Sequence, residues 1–130
     1  MVATEGPARR GRPLVVLVEE EADERDAIAR HLAEAGFDVL AAEDTAGGRE
    51  LLETAGAVAA LVTDAHVPGP VDGFALAAEA RRRWPRLAVI MTSGHSDETS
   101  GPLPEGARFV SKAYLPARLV PAIRELIGGG

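Results

Sequence analysis

No cysteine occurs in the 130 residues, so neither a disulfide scaffold nor a thiolate metal site is open to this chain, and a reducing compartment suits it. Long apolar runs are missing too: none approaches the ~20 residues that a membrane-spanning helix needs. Met1 to Pro13 has no apolar central stretch, which argues against a secretory leader. Positive charge is also scarce. The formal net charge is −6, and Arg9, Arg10 and Arg12 against Glu5 contribute +2 in the first twelve residues, leaving −8 for the rest. A body of that sign lacks the basic face that displaces phosphate counterions, so nucleic-acid binding is not expected. Nor is there a G-x-x-x-x-G-K-[ST] loop to cradle a nucleotide, or a His-x-x-x-His pair to hold a transition metal. With 46% apolar and 26% charged residues, the expectation is one soluble cytoplasmic domain with no room for a second, catalytic one.

What is present is a rhythm. Met1 to Arg12 is rich in Gly, Pro, Ala and Arg and reads as a disordered tail, with a domain over 13–127. Leu14 to Val18 is an apolar run closed by Glu19, Glu20 and Glu21. A strand apolar on both sides belongs in a parallel sheet covered by helices. Ala22 to Ala35 carries Ile28, Leu32 and Ala35 at helical spacing, and Gly36 stops it. Phe37 to Ala42 is a second strand, and Asp44 or Thr45 caps a helix reaching Thr54. Val58 to Asp64 is a third strand whose apolar run ends in a carboxylate, before Ala65-His66-Val67-Pro68-Gly69-Pro70 forbids continuation. Gly73 to Trp84 is a helix ended by Pro85, with Leu76, Ala77, Ala80 and Trp84 inward. Leu87 to Met91 is a fourth strand followed by Thr92-Ser93-Gly94. Ser96 to Gly106 holds Gly101, Pro102, Pro104 and Gly106, so the fourth helix is expected to be short or irregular. Ala107 to Ser111 is a fifth strand ending at Lys112, and Pro116 to Ile127 is the last helix. Alternation of this kind means a doubly wound, five-stranded parallel sheet with right-handed crossovers.

Four of those strands end in polar groups: Glu19 and Glu20, Asp64, Thr92 and Lys112. Open α/β sheets gather their chemistry at the carboxyl edge of the strands. Carboxylates crowded there repel one another unless a cation joins them, and a hard divalent ion such as magnesium suits an oxygen-only set. The chemistry that fits is phosphoryl transfer onto Asp64, with Lys112 and a metal balancing charge and Thr92 donating to a phosphoryl oxygen.

In order and interval, these residues resemble the receiver domain of two-component response regulators, over about Leu14 to Leu126. Val67-Pro68-Gly69 and Val71-Asp72-Gly73-Phe74 are similar to the loop that follows the acceptor aspartate in that family. The resemblance implies a flavodoxin-like (βα)5 fold with Asp64 as the phosphoacceptor. It implies that Glu19, Glu20, Asp64 and the His66 backbone carbonyl hold Mg2+, that Thr92 and Lys112 contact the phosphoryl group, and that Phe109 is the aromatic that reorients. It further implies a sensor histidine kinase or histidine phosphotransfer protein as donor, an unidentified downstream protein target, and a stand-alone monomer or weak dimer that is not itself an enzyme. Two positions depart from the family pattern: Glu20 replaces an aspartate, and Ala113 replaces the proline that follows the lysine. A cis bond without proline costs about 2.5 to 4 kcal/mol, so Lys112–Ala113 is expected to be strained or else trans with a re-aimed loop. The competing readings are a pseudo-receiver that binds partners without phosphorylation, and an aspartate-nucleophile phosphatase or dehalogenase. The last would want an acid where His66 stands.

Overall fold

A computed structural model of the chain describes residues 11–94 and 103–128. Five parallel strands form one sheet: β1 (Leu14–Val18), β2 (Asp38–Ala42), β3 (Ala60–Asp64), β4 (Ala88–Ser93) and β5 (Arg108–Ser111). Their order across the sheet is β2-β1-β3-β4-β5. Between and after them lie α1 (Ala22–Glu34), α2 (Thr45–Thr54), α3 (Gly73–Arg83) and α4 (Leu115–Gly128). The flavodoxin-like expectation is met.

The period-two alternation of strand side chains divides the apolar residues between two cores. Val15 and Leu17 of β1, Ala60 and Val62 of β3, Ala88 and Ile90 of β4, and Val110 of β5 face Ile28 and Leu32 of α1 and Leu119 and Ile123 of α4. The intervening residues Val16, Val18, Leu61, Val89 and Met91 face Leu52 of α2 and Phe74, Leu76, Ala77 and Ala80 of α3. Every residue of β1, β3 and β4 is buried, which explains why those runs show no polar alternation in the sequence.

Caps fix the helix starts, and for α2 the cap is one of the two residues expected. Asp44 is the residue that caps α2, its side chain accepting from Gly47 N, and Asp72 caps α3 by accepting from Ala75 N. Glu21, the last of the three acids, caps α1 by accepting from Glu24 N at 2.8 Å. Several boundaries differ from expectation. β4 runs two residues further than Met91, so Thr92 and Ser93 lie inside the strand, held by pairing with Val110 and Ser111 of β5. Trp84 is half-buried and ends α3 as its C-cap, with the Arg83 guanidinium 4.4 Å above its ring. Between β5 and α4, Lys112–Tyr114 forms a single 3-10 turn capped by Ser111.

Of the tail expected over 1–12, residues 1–10 lie outside the described residues. Arg12 is anchored, its Nε 2.9 Å from Asp38 Oδ1 and its Nη2 2.9 Å from the Phe37 carbonyl. The expected irregular fourth helix and His95 fall largely on residues 95–102, which also lie outside the described residues. Its remaining part, Leu103 to Ala107, is a turn closed by Ala107 N donating to the Pro104 carbonyl at 3.0 Å.

Candidate functional site

Strand parity assembles the site. Glu19 continues the Val15–Leu17 face of β1, Asp64 the Ala60–Val62 face of β3, Thr92 the Ala88–Ile90 face of β4, and Lys112 the Val110 face of β5. All four thus end on the side of the sheet covered by α1 and α4. Register does the rest: Asp64 is the direct partner of Thr92, and the Ala65 amide donates to the Thr92 carbonyl at 2.8 Å. Glu20 has the opposite parity and is exposed.

Lys112 is the hub. Its ammonium lies 2.9 Å from Asp64 Oδ2, 3.0 Å from Glu19 Oε1 and 2.6 Å from Glu24 Oε1. The other Asp64 oxygen, Oδ1, accepts from the His66 amide at 3.0 Å, so the carboxylate closes its own turn while presenting Oδ2 to the lysine. Glu19 is 2% exposed; its Oε2 accepts from the Glu21 amide at 3.0 Å, whereas Oε1 is buried at ion-pair distance from Lys112 without hydrogen-bond alignment. Burial pushes the Glu19 carboxyl up, and the neighbouring Asp64 charge adds to this; the Glu21 amide and the Lys112 ammonium pull the other way and lose. Burial works against the Lys112 charge, but Glu24, Asp64 and Glu19 outweigh it and hold the ammonium protonated above its usual range.

The loop after Asp64 is set by contacts rather than by composition alone. The buried Thr45 at the start of α2 accepts the loop: its hydroxyl donates to the Val71 carbonyl at 2.8 Å and its amide to the Pro68 carbonyl at 3.0 Å. Gly69, at φ +133°, passes so close to Thr45 that a Cβ would collide with its hydroxyl. Gly73 lies against the Asp64 carbonyl, with no room for a Cβ, and its amide donates to the Ala65 carbonyl at 3.2 Å. Only glycine lets α3 begin that near the end of β3.

Of the expected site residues, the structure brings together Asp64, Glu19, Thr92 and Lys112, and leaves Glu20 and the His66 side chain outward. Phe109 pairs with Met91 and packs half-buried on the opposite face, against the α2–α3 core. Among the described residues no peptide bond is cis, so Lys112–Ala113 is trans, and the Ala113 amide turns back to Ser111 Oγ at 3.3 Å. Two participants escape a sequence reading. Glu24 reaches Lys112 across 88 positions of chain, and nothing local signals it. Arg25 donates from Nη1 to the carbonyls of Glu19 and Glu20, at 3.0 and 3.2 Å, clamping the acidic loop. A cation in the first turn of a helix opposes the dipole, and that was the available signal.

The donor set is all oxygen, and Glu19 Oε1 is a buried acceptor with no aligned donor, which suits a hard divalent ion. The acids are gathered on an ammonium, however, and among the described residues no three His, Asp or Glu side chains stand at metal-ligand spacing. No helix among the described residues is long and apolar enough to cross a membrane.

Comparison with known proteins agrees with this fold. The family model described as the response regulator receiver domain matches residues 15–124. A curated relative, the hydrogenase transcriptional regulatory protein HoxA of Cupriavidus necator, is 29% identical over 117 residues, which is 87% of this chain and 24% of HoxA. The chain thus spans about a quarter of that relative's length. The response regulator receiver protein of Sinorhizobium medicae superposes with a TM-score of 0.82 at 27% identity, over 92% of this chain and 98% of that one. The response regulator TrrA of Thermotoga maritima, solved with Mg2+ and BeF, superposes with a TM-score of 0.79 at 21% identity, over 88% and 98%. With the matched region running from the first strand into the last helix, and with an aspartate paired to a lysine at the sheet edge, the chain belongs to the response regulator receiver domains.

Proposed function

We propose that this domain accepts a phosphoryl group on Asp64 from a sensor histidine kinase or histidine phosphotransfer protein in the cytoplasm, and that the modified form binds a downstream protein target. The observation that carries the reading is the Lys112 ammonium 2.9 Å from Asp64 Oδ2, at the edge where the strands converge. In the transfer, an Asp64 oxygen forms a bond to phosphorus as the phosphorus–nitrogen bond of the donor imidazole breaks, and the electron pair leaves with that nitrogen. A carboxylate is already anionic, so no general base is needed. Lys112 and the Thr92 hydroxyl donate to phosphoryl oxygens where negative charge collects. Glu19, Glu20, Asp64 and the His66 carbonyl would hold Mg2+, which when bound offsets that charge; TrrA, a relative in fold, was captured with Mg2+ and BeF. The chain is an acceptor in this scheme, not an enzyme acting on a small substrate. Phe109, packed beside Met91 on the next strand, is the residue assigned to carry the change towards the partner surface by biasing two packed states.

Mass spectrometry after incubation with acetyl phosphate and Mg2+ tests this directly. The wild type is expected to gain a phosphoryl adduct and Asp64→Asn none; an adduct that survives the substitution sinks the assignment of the acceptor. A second reading, a pseudo-receiver that binds partners without phosphorylation, draws on the exposed Glu20 and on a lysine already ringed by three carboxylates. That reading expects no adduct on the wild type.

A further inference from the structure

We propose that Glu24 is a built-in competitor for Lys112 that slows phosphoryl uptake by Asp64; the proposal rests on the phosphoacceptor reading above. An ammonium has three N–H donors; two of them go to Glu24 and Asp64, and Glu19 Oε1 crowds the remaining side at 3.0 Å. The contact with Glu24, at 2.6 Å, is the shortest of the three.

The three acids are not equally free to leave. Glu19 is 2% exposed and tied to the Glu21 amide. Asp64 is the acceptor, and its second oxygen is held by the His66 amide. The Glu24 side chain is 49% exposed, so water can take over its solvation when it lets go. Its backbone, by contrast, is fixed: the Glu24 amide donates to the Glu21 cap, and Arg25 ties the same turn to the Glu19 and Glu20 carbonyls. The carboxylate therefore swings out and returns without any movement of α1. An anionic phosphoryl donor needs room at Lys112 for one of its oxygens, and of the three carboxylates that crowd the ammonium Glu24 is the exchangeable one. Its charge also repels the approaching anion. Glu24 thus acts as a positioning residue for Lys112 in the resting state and as a brake on uptake.

Uptake of phosphoryl from acetyl phosphate with Mg2+ is followed by mass spectrometry for the wild type, Glu24→Gln, Glu24→Asp and Glu34→Gln, with thermal melts confirming that each is folded. Glu34 lies exposed at the far end of α1 and controls for a general change in net charge. Glu24→Gln is expected to accept the phosphoryl about fivefold faster, the scale of an exposed ion pair of about 1 kcal/mol. Glu24→Asp, shorter but still charged, falls between, and Glu34→Gln matches the wild type. The gain from Glu24→Gln shrinks towards 1 M salt, where charges are screened beyond about 3 Å, whereas a purely structural effect would not follow salt. Equal or slower uptake by Glu24→Gln beside a labelled wild type overturns the proposal alone, as does equal acceleration by Glu34→Gln. Absence of label on every variant, the wild type included, overturns the phosphoacceptor reading and this proposal with it.

Discussion

Two charge networks sit on opposite sides of the sheet, and they resolve the same conflict in opposite directions. At the carboxyl edge, three acids surround one ammonium: Glu19, Glu24 and Asp64 on Lys112. Between α2 and α3, two acids meet two guanidiniums: Arg49 on Glu79 at 2.9 Å, and Arg83 on Glu79 and Glu53 at 2.9 and 2.7 Å. In the second network the bond from Arg49 is the largest influence on Glu79 and holds its carboxyl below the usual range, with burial opposing and Arg83 assisting. In the first, burial is the largest influence on Glu19 and pushes its carboxyl up despite the lysine. The balanced network is an ordinary clasp between helices. The unbalanced one carries an excess of two negative charges in a half-closed edge, an arrangement that fold stability alone does not explain and that the proposed cationic and phosphoryl chemistry would.

Removing the hub breaks the comparison most severely. Lys112→Met leaves Glu19 buried without its cation, and loss of one partner of a buried pair costs about 2 to 4 kcal/mol once protonation of the carboxyl is allowed for. Chemical denaturation at pH 8 is the measurement. Because Glu19 already has a raised folded-state pKa, the charged form is the penalised one. Stability of the variant should therefore recover as pH falls through that raised value and Glu19 takes up a proton. Phosphoryl uptake from acetyl phosphate should fall about 100-fold, the usual loss when one donor to a developing charge is removed. A variant as stable as the wild type at pH 8, and labelled as fast, would show that the hub holds nothing.

Glu19→Gln sharpens the same contrast from the other side. The amide keeps an acceptor for the Glu21 amide and removes the charge that burial disfavours. The variant is expected to be more stable than the wild type at pH 8 by about 1 kcal/mol, and less able to be labelled in the presence of Mg2+. Greater stability with undiminished labelling would separate Glu19 from the chemistry.

Most of this arrangement could be read before any coordinates, and the parts that could not share a cause. The buried runs of β1, β3 and β4 and the helices between the strands were legible because burial on both faces and the 3.6-residue period leave marks in consecutive residues. The polar groups ending four strands were legible because a parallel sheet must bring like ends together. Glu20 follows Glu19 in the sequence, yet it is exposed beyond the end of β1, whereas Glu19 is buried beside Lys112. Thr92 and Ser93 looked like an exit from the strand because polar residues ended the apolar run; pairing with β5 kept them inside it. Glu24 gave no sign at all, since its partner comes from the turn after the last strand and only the folded sheet brings the two together. Local rules see the elements, and the parity at their ends sees the site. A contact made by a helix with a turn 88 positions later is seen by neither.

The smallest expected effect tests the clasp, where the sign with pH reverses. Glu79→Gln removes the acid shared by Arg49 and Arg83 and should cost about 0.5 to 1 kcal/mol at pH 7, within the range of partly exposed pairs. Glu79 has a lowered folded-state pKa, so its contribution is complete above the unfolded value, near 4.5, and is lost as pH falls through the folded value below it. The stability gap between wild type and Glu79→Gln should then be flat from neutral pH down to about pH 5 and close in stronger acid. For Lys112→Met the deficit is instead largest at high pH. Phosphoryl uptake by Glu79→Gln should equal that of the wild type, because the clasp joins α2 to α3 and touches none of the groups around Lys112. If this substitution slowed uptake as Lys112→Met does, the two networks would be one, and the division between a stabilising clasp and a strained acidic edge would fail.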